Sequence, residues 1–329
     1  MKRTYFFKNK PRIIGTFSVA GPKESHGSIC DYIHLKLSDD MFGENTFEKA
    51  ETKMLYTAIK NAIKNSHTTE SEINAIISGD LLNQIVASTF AARDFETAYL
   101  GVYNACATFT ESLFLGSVLV DGGYMKNVVC ATSSHFSSAE RQYRYPLELG
   151  CTRPPQSQWT VTGAGSVVLS NKGNGPFISG ATLGKVMDYG VTDTNNMGAA
   201  MAPACADTVY THFKETGTSP DNYDLIITGD LGALGSRIFK DLIWEKGYDV
   251  EKQHVDCGEL IFNICEDEYQ GGSGAGCSSL VFNSYIYSLM KEKKIKKILL
   301  VATGALLSSV SSQQGESIPS IAHAVSVEC

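Results

Sequence analysis

Residues 73–82 read INAIISGDLL, and residues 223–232 read YDLIITGDLG. Five of the ten positions are identical, and the shared core is Ile-Ile-(Ser/Thr)-Gly-Asp-Leu at an offset of 150. Each copy follows an amphipathic segment. The first, TFEKAETKMLYTAIKNAIKN, places apolar residues at 54, 55, 58, 59, 62 and 63, the spacing of one helical face, with Thr46 positioned to cap it. The second, PACADTVYTHFKETG, is expected to open at Pro203 and close at Gly217. Both units read as helix, short polar turn and buried strand.

Two further matches keep the same order. NVVCATSS (127–134) aligns with KILLVATGA (297–305), setting Ala131-Thr132 on Ala302-Thr303 at an offset of 171. The same offset carries ACAT around Cys106 onto GCSS around Cys277. Three ordered matches indicate a duplication, with halves at 1–172 and 173–329 and 21 extra residues in the second half before its Cys277 turn. The final strands are expected at GSVVLS from 165 and IAHAVSVE from 321. This period is far too long for a solenoid repeat. Near-continuous apolar strands alternating with helices predict an α/β fold with sheets covered on both faces, and no Pro- or Ser-rich linker separates the halves.

Composition narrows the function classes. The 329-residue chain is 43% hydrophobic and 19% charged, with a formal net charge of −7, which argues against a nucleic-acid-binding surface or a generally basic membrane face. The nine cysteines, at 30, 106, 130, 151, 205, 257, 265, 277 and 329, form no CxxC pair and read as reduced thiols. Lys8, Lys10, Pro11 and Arg12 interrupt the N-terminal apolar runs, so no signal-peptide core is present, and the expected place of synthesis is the cytoplasm. The longest apolar run, ILLVATGALL (298–307), is about half the length a bilayer requires. His, Cys, Asp and Glu show no metal-ligand spacing, and neither a metal nor a cofactor is expected. GGSGAG (271–276) lacks the Lys-Ser/Thr ending of a phosphate-binding loop, and helix–sheet packing accounts for it more simply.

In GVYNACATFTESLF (101–114), Cys106 stands where a strand-like run gives way to a helix-like one. Unpaired N–H groups and the dipole of a helix start favour a thiolate there. His135 follows the VVCATSS strand at its carboxyl end, where open α/β sheets bind ligands. Two fused α/β halves, the Gly-Asp strands, the small-residue cysteine turn and GGSGAG together resemble the thiolase and ketoacyl-synthase superfamily. That resemblance implies a five-layered α-β-α-β-α body, a homodimer paired edge to edge, and Cys106 in the place of the acyl-accepting nucleophile. GVYNACATFTE, SSHFSSAERQYRYPLELG, RPPQSQWTVTGAG and GGSGAG are most similar to the stage V sporulation protein AD family. This closer resemblance implies a non-condensing protein that binds dipicolinic acid (pyridine-2,6-dicarboxylate) and serves, with other stage V sporulation membrane proteins, in moving it into the developing endospore. It further implies peripheral association with the spore inner membrane through those partners.

The chain departs from the condensing pattern at both partner positions. Where ketoacyl synthases III carry His-Gln-Ala-Asn, it has Gly229-Asp230-Leu231-Gly232, and where they carry Gly-Asn-Thr-Ser, it has Gly271-Gly272-Ser273-Gly274. Loss of a positioned acid/base costs about 10² to 10⁴ in rate and loss of an oxyanion donor about 10² to 10³. His212, His254 and His323 lie in no matching motif. Three readings remain: a ligand-binding homologue without catalytic residues, an active acyltransferase using Cys106, and a structural scaffold for membrane partners. For the first, the ligand residues expected are Cys106, His135, Arg141, Arg144, Arg153 and Asp230. Guanidinium forks suit a dicarboxylate, and Asp230 helps only when protonated or bridged by a cation such as calcium.

Overall fold

The computed structural model describes residues 2–144, 146–262 and 269–329. Its first half runs β1 (Thr4–Phe6), β2 (Arg12–Ala20), β3 (Leu35–Lys36), α1 (Phe47–Asn65), β4 (Ala75–Gly79), α2 (Val86–Ala92), β5 (Ala98–Gly101), α3 (Thr108–Asp121), β6 (Asn127–Ser134), α4 (Phe136–Tyr143), β7 (Trp159–Thr160) and β8 (Gly163–Ser170). The second runs β9 (Phe177–Thr182), α5 (Met197–Thr216), β10 (Leu225–Thr228), α6 (Gly232–Trp244), β11 (His254–Asp256), α7 (Cys257–Ile261), β12 (Gly272–Ser273) and α8 (Ala275–Val281). A π-helical turn, Phe282–Ile286, leads from α8 into α9 (Tyr287–Lys291), followed by β13 (Lys297–Ala305), α10 (Ser309–Gln313) and β14 (Ser320–Glu328).

The strand order repeats. One half is ordered β5-β4-β6-β8-β2 and the other β11-β10-β13-β14-β9, and β2 meets β9 at Arg12 and Phe177. The two Gly-Asp strands, β4 and β10, each lie second from the outer edge, parallel to both neighbours.

Period-2 alternation sorts the strands' side chains into layers. Ile77, Cys130, Ile227 and Leu300 face a central core shared with Phe109 and Leu113 of α3 and Leu280 of α8. Their neighbours Ile76 and Val129 pack under α1, while Ile226, Leu299 and Val301 pack under α5 and α6. Five layers result: helices, sheet, the α3/α8 pair, sheet, helices. Near-continuous apolar strands are the sequence signature of sheets covered on both faces.

Local signals mostly act as the residue types predict. Thr46 caps α1 by accepting the Lys49 N–H at 3.3 Å, and Gly217 ends α5 in the left-handed region at φ 68°. The start of α5 differs from expectation. It begins at Met197 with Asn196 as its cap, and Pro203 lies inside it. Gly198 explains the extension: a Cβ there would lie 2.5 Å from the Leu231 carbonyl and 3.0 Å from the Gly235 nitrogen, so the helix starts early to dock closely on α6. The eight cysteines that are described are free thiols, and Cys265 lies outside the described residues.

Candidate functional site

A cavity lies at the carboxyl ends of the strands, with about 40 Å³ open to water-sized molecules and about 470 Å³ when counted out to its open mouth. Cys106, Ser273, Gly274, Arg144, Thr160, Tyr103 and Tyr143 give it polar atoms, and Leu81, Met197, Met201 and Leu307 give it apolar walls. Its span crosses both halves, because Cys106 comes from the first and Ser273 from the second.

Cys106 is held by a tight turn. Ala105 takes a left-handed conformation at φ 50°, its carbonyl accepts the Thr108 hydroxyl at 2.6 Å, and α3 begins two residues after the cysteine. The thiol is 3.9 Å from Ser273 Oγ and is 8% exposed. Burial pushes its pKa well above the usual thiol value, and the neighbouring Asp230 carboxylate adds to the shift. The helix start was expected to favour the thiolate; burial and an adjacent acid outweigh the dipole here.

Asp230 leaves β10 fully buried. Its Oδ2 accepts the Ser273 hydroxyl at 2.8 Å and the Gly274 N–H at 3.1 Å, and its Oδ1 accepts the Thr303 hydroxyl at 2.8 Å. Desolvation raises its pKa, and these donors oppose the rise. Gly274, at φ 113°, is needed for this approach, since a Cβ there would meet Ser134 Oγ at 2.7 Å.

The arginines divide. Arg144 Nη1 donates to Glu140 Oε1 at 2.6 Å, its Nε donates to the Thr194 carbonyl at 3.3 Å, and the residue lines the cavity. Arg153 Nη1 reaches the same Glu140 oxygen at 3.1 Å, bonds the Gln158 carbonyl and lies over the rings of Phe136 and Trp159. It stands behind the wall. Two guanidiniums therefore share one buried carboxylate, and the Asp193 carboxylate also feels the Arg144 charge.

Arg141 and His135 are not in the cavity. Arg141 pairs with Glu48 across a neighbouring shallow groove, because its place on α4 turns it away from Arg144. His135 is fully buried, accepts the Ser137 N–H on Nδ1 at 3.2 Å and so donates from Nε2 to the Asp40 carbonyl at 2.8 Å. It caps α4, and burial lowers its pKa. Of the six residues expected to meet ligand, Cys106 and Arg144 line the cavity, Asp230 lies beneath it on Ser273 and Gly274, Arg153 shares Glu140 with Arg144, and Arg141 and His135 face elsewhere.

The other histidines serve the frame. His212 bridges Thr182 and Tyr223 at 2.7 and 2.6 Å, His254 meets Thr228 at 2.9 Å, and His323 Nδ1 accepts the Gly184 N–H at 3.1 Å. Burial lowers their pKa values to about 4, 3 and 4 respectively.

Sequence reasoning missed Tyr103, Tyr143 and Thr303, whereas pairing of the arginines with Glu140 was open to it. The tyrosine hydroxyls lie 3.1 Å apart at the mouth, and Tyr143 bonds the Leu81 carbonyl. Thr303 had a signal in the repeat, as the counterpart of Thr132. The tyrosines had none, because nothing in the spacing brings 103 beside 143.

The model of the family described as "Stage V sporulation protein AD (SpoVAD)" matches residues 1–328. The chain belongs to the stage V sporulation protein AD family. It is 42% identical over 327 residues to stage V sporulation protein AD of Bacillus subtilis (strain 168), covering 99% of this chain and 97% of that one. The SpoVAD fold is thiolase-like. Among solved structures, 3-oxoacyl-[acyl-carrier-protein] synthase III from Aquifex aeolicus VF5 superposes with a TM-score of 0.59 at 17% identity, covering 97% of this chain and 100% of that one. Cerulenin-bound OleA from Xanthomonas campestris superposes at 0.65 with 12% identity, covering 99% and 100%. Membership of the SpoVAD family makes this a sporulation protein. Among the described residues, no helix is long and apolar enough to cross a membrane, and no group of three His, Cys, Asp or Glu is placed to hold a metal ion.

Proposed function

We propose that the chain is a non-catalytic binding protein for dipicolinic acid that takes part in its uptake into the developing endospore. The carrying observation is the cavity wall itself, where the Arg144 guanidinium, held against Glu140 together with Arg153, stands beside Cys106, Thr160 and the Gly274 turn. In this reading one carboxylate of the planar dianion meets the Arg144 guanidinium, and the other takes the hydroxyl proton of Tyr103, which turns from Tyr143 to donate it. The ring lies between Met197, Met201 and Leu307. Charge-assisted bonds to guanidinium are the strong ones available to a carboxylate.

Absence of catalysis is supported by Asp230. It follows Gly229, which stands where ketoacyl synthases III carry the imidazole, and as an anion it repels both a thiolate and a developing oxyanion. In this proposal the protein works with other stage V sporulation proteins at the spore inner membrane and as a homodimer. Strand β5, the outer strand of its sheet, supports the dimer: it is mostly exposed, with Leu100 at 43% and the nearby Phe90 at 46%, whereas the opposite edge strand β11 is largely buried.

Titration calorimetry with pyridine-2,6-dicarboxylate, with and without calcium, tests the reading. Saturable heat is expected, with Arg144→Ala weaker by about 1.5–3 kcal/mol, the worth of a hydrogen bond to a charged group. An absence of binding in both buffers overturns it. Turnover of acetyl- or malonyl-thioesters that disappears in Cys106→Ala restores the acyltransferase reading.

A further inference from the structure

A second concavity lies at the opposite end of the sheets. Strand β6 runs from Asn127, on this groove, to Ser134, whose hydroxyl accepts the Gly276 N–H beside the Cys106 cavity. The groove spans the junction of the two halves, where β2 meets β9. It encloses about 2580 Å³ counted out to its mouth, against about 470 Å³ for the cavity. With about 1320 Å³ open to water-sized molecules it exceeds the roughly 1,000 Å³ of small-molecule pockets, and this is space for a macromolecular segment.

Its charge is opposite to that of the chain. Arg12, Lys64, Lys126, Lys172, Lys291 and Lys293 line it, with Glu72 as its only acidic side chain among the described residues, in a protein of net charge −7. The five lysines are exposed, and none has a carboxylate partner among the described residues. Nearby carboxylates are already engaged: Glu72 accepts the N–H and hydroxyl of Thr69, and Glu292 pairs with Lys294 at 2.7 Å. These lysines come from four separate segments, so no single charged helix face accounts for them. Ile14 and Tyr287, half-buried, add apolar surface to the same lining.

We infer that this groove docks an extended acidic segment of a partner protein, with Asp or Glu side chains on the lysine rim and apolar side chains against Ile14 and Tyr287. Complementary charge sets register and on-rate in such contacts. A flat bilayer reaches the rim and not the floor, and a nucleic acid backbone makes no use of the apolar lining. The inference is independent of what the Cys106 cavity binds.

The test is fluorescence anisotropy of the full chain with a labelled twelve-residue peptide carrying Glu at every second position and Val between, beside a peptide with Gln in place of Glu. The acidic peptide is expected to bind at least about tenfold tighter than the neutral one and to weaken steeply from low to physiological salt. Lys64→Glu/Lys126→Glu/Lys172→Glu/Lys291→Glu should lower affinity at least about tenfold without shifting the thermal midpoint, and Tyr287→Ser, which also loses core packing, should lower it several-fold. Reversing four exposed charges elsewhere, at Lys49, Lys214, Lys246 and Lys252, should leave it unchanged. Equal binding of the two peptides, or an equal effect of the two reversal sets, overturns the proposal. So does tighter capture, through the same lysines, of vesicles containing anionic phospholipid or of single-stranded DNA.

Discussion

The turns at Cys106 and Cys277 are copies of one another with opposite fates. Cys277 is closed off completely, its thiol 3.4 Å from the Gly229 carbonyl, and residue 276 before it must be glycine because a Cβ would lie 2.5 Å from the Gly163 carbonyl. Cys106 is preceded by Ala105 in a left-handed conformation and lines an open cavity. The aspartates diverge in the same way. Asp80 is bound to two backbone groups, the N–H of Leu82 and that of Ser88, at 2.8 and 2.7 Å. Asp230 is bound chiefly by hydroxyls and reaches the cysteine of the other half. Duplication thus supplied two equivalent sites, one of which became frame and the other a site, and the difference lies in what the opposite half presents to each turn.

The largest test of that difference is Gly276→Val, expected to destabilise by about 3 kcal/mol through overpacking against backbone and measured by urea unfolding. A loss near zero breaks the claim that this copy is closed. Next come the aspartates. Asp80→Asn faces an amide NH₂ against a fixed backbone N–H and should cost about 1–3 kcal/mol. Asp230→Asn should cost less, because the Thr303 hydroxyl can rotate to accept from the new amide.

The pH dependence sharpens the same pair. Burial raises the folded pKa of Asp230, so the folded state holds that proton more tightly than the unfolded chain, and this group's contribution to stability falls as pH rises above about 4. Buried histidines with lowered values act in the opposite direction, their contribution rising from about pH 4 to 6.5. The comparison is therefore made by difference: Asp230→Asn should gain stability relative to the parent between pH 4 and 7. A relative loss over that window means the carboxylate is favoured as an anion.

Alkylation separates the cysteines more finely. In native protein at pH 8, Cys106 should label at least about tenfold faster than Cys277, which reacts only on opening, and Asp230→Asn should speed Cys106 further. Equal rates erase the distinction. The smallest effect belongs to Ala105→Gly, which relieves the left-handed conformation and should change stability by no more than about 1 kcal/mol, in either direction. A larger loss would show that the alanine methyl packs in a way Gly276 does not.

Much of the fold was legible in the chain because it was written twice. The Gly-Asp strands, the cysteine turns, the Thr46 cap and the Gly217 stop are local patterns, and local patterns follow from side-chain periodicity and backbone preference. The first helical turns of α5 were not legible, since Pro203 is a strong local signal for a helix start and only the close approach of Gly198 to α6 overrides it. Site residues split along the same line. Cys106 and Asp230 stood in motifs. Arg141, Arg144 and Arg153 were indistinguishable in sequence, because which guanidinium reaches the cavity depends on the face of α4 and on sharing Glu140, neither of which spacing encodes. The lysine groove was hidden further, beneath a net charge of −7, since net charge sums over the surface whereas a docking face depends on where distant segments bring their charges together. Sequence by itself determined the duplicated architecture and the loss of the imidazole and amide positions. Tertiary structure alone decided which copy is open and which arginine points inward, because those outcomes rest on contacts between residues 40 or more positions apart.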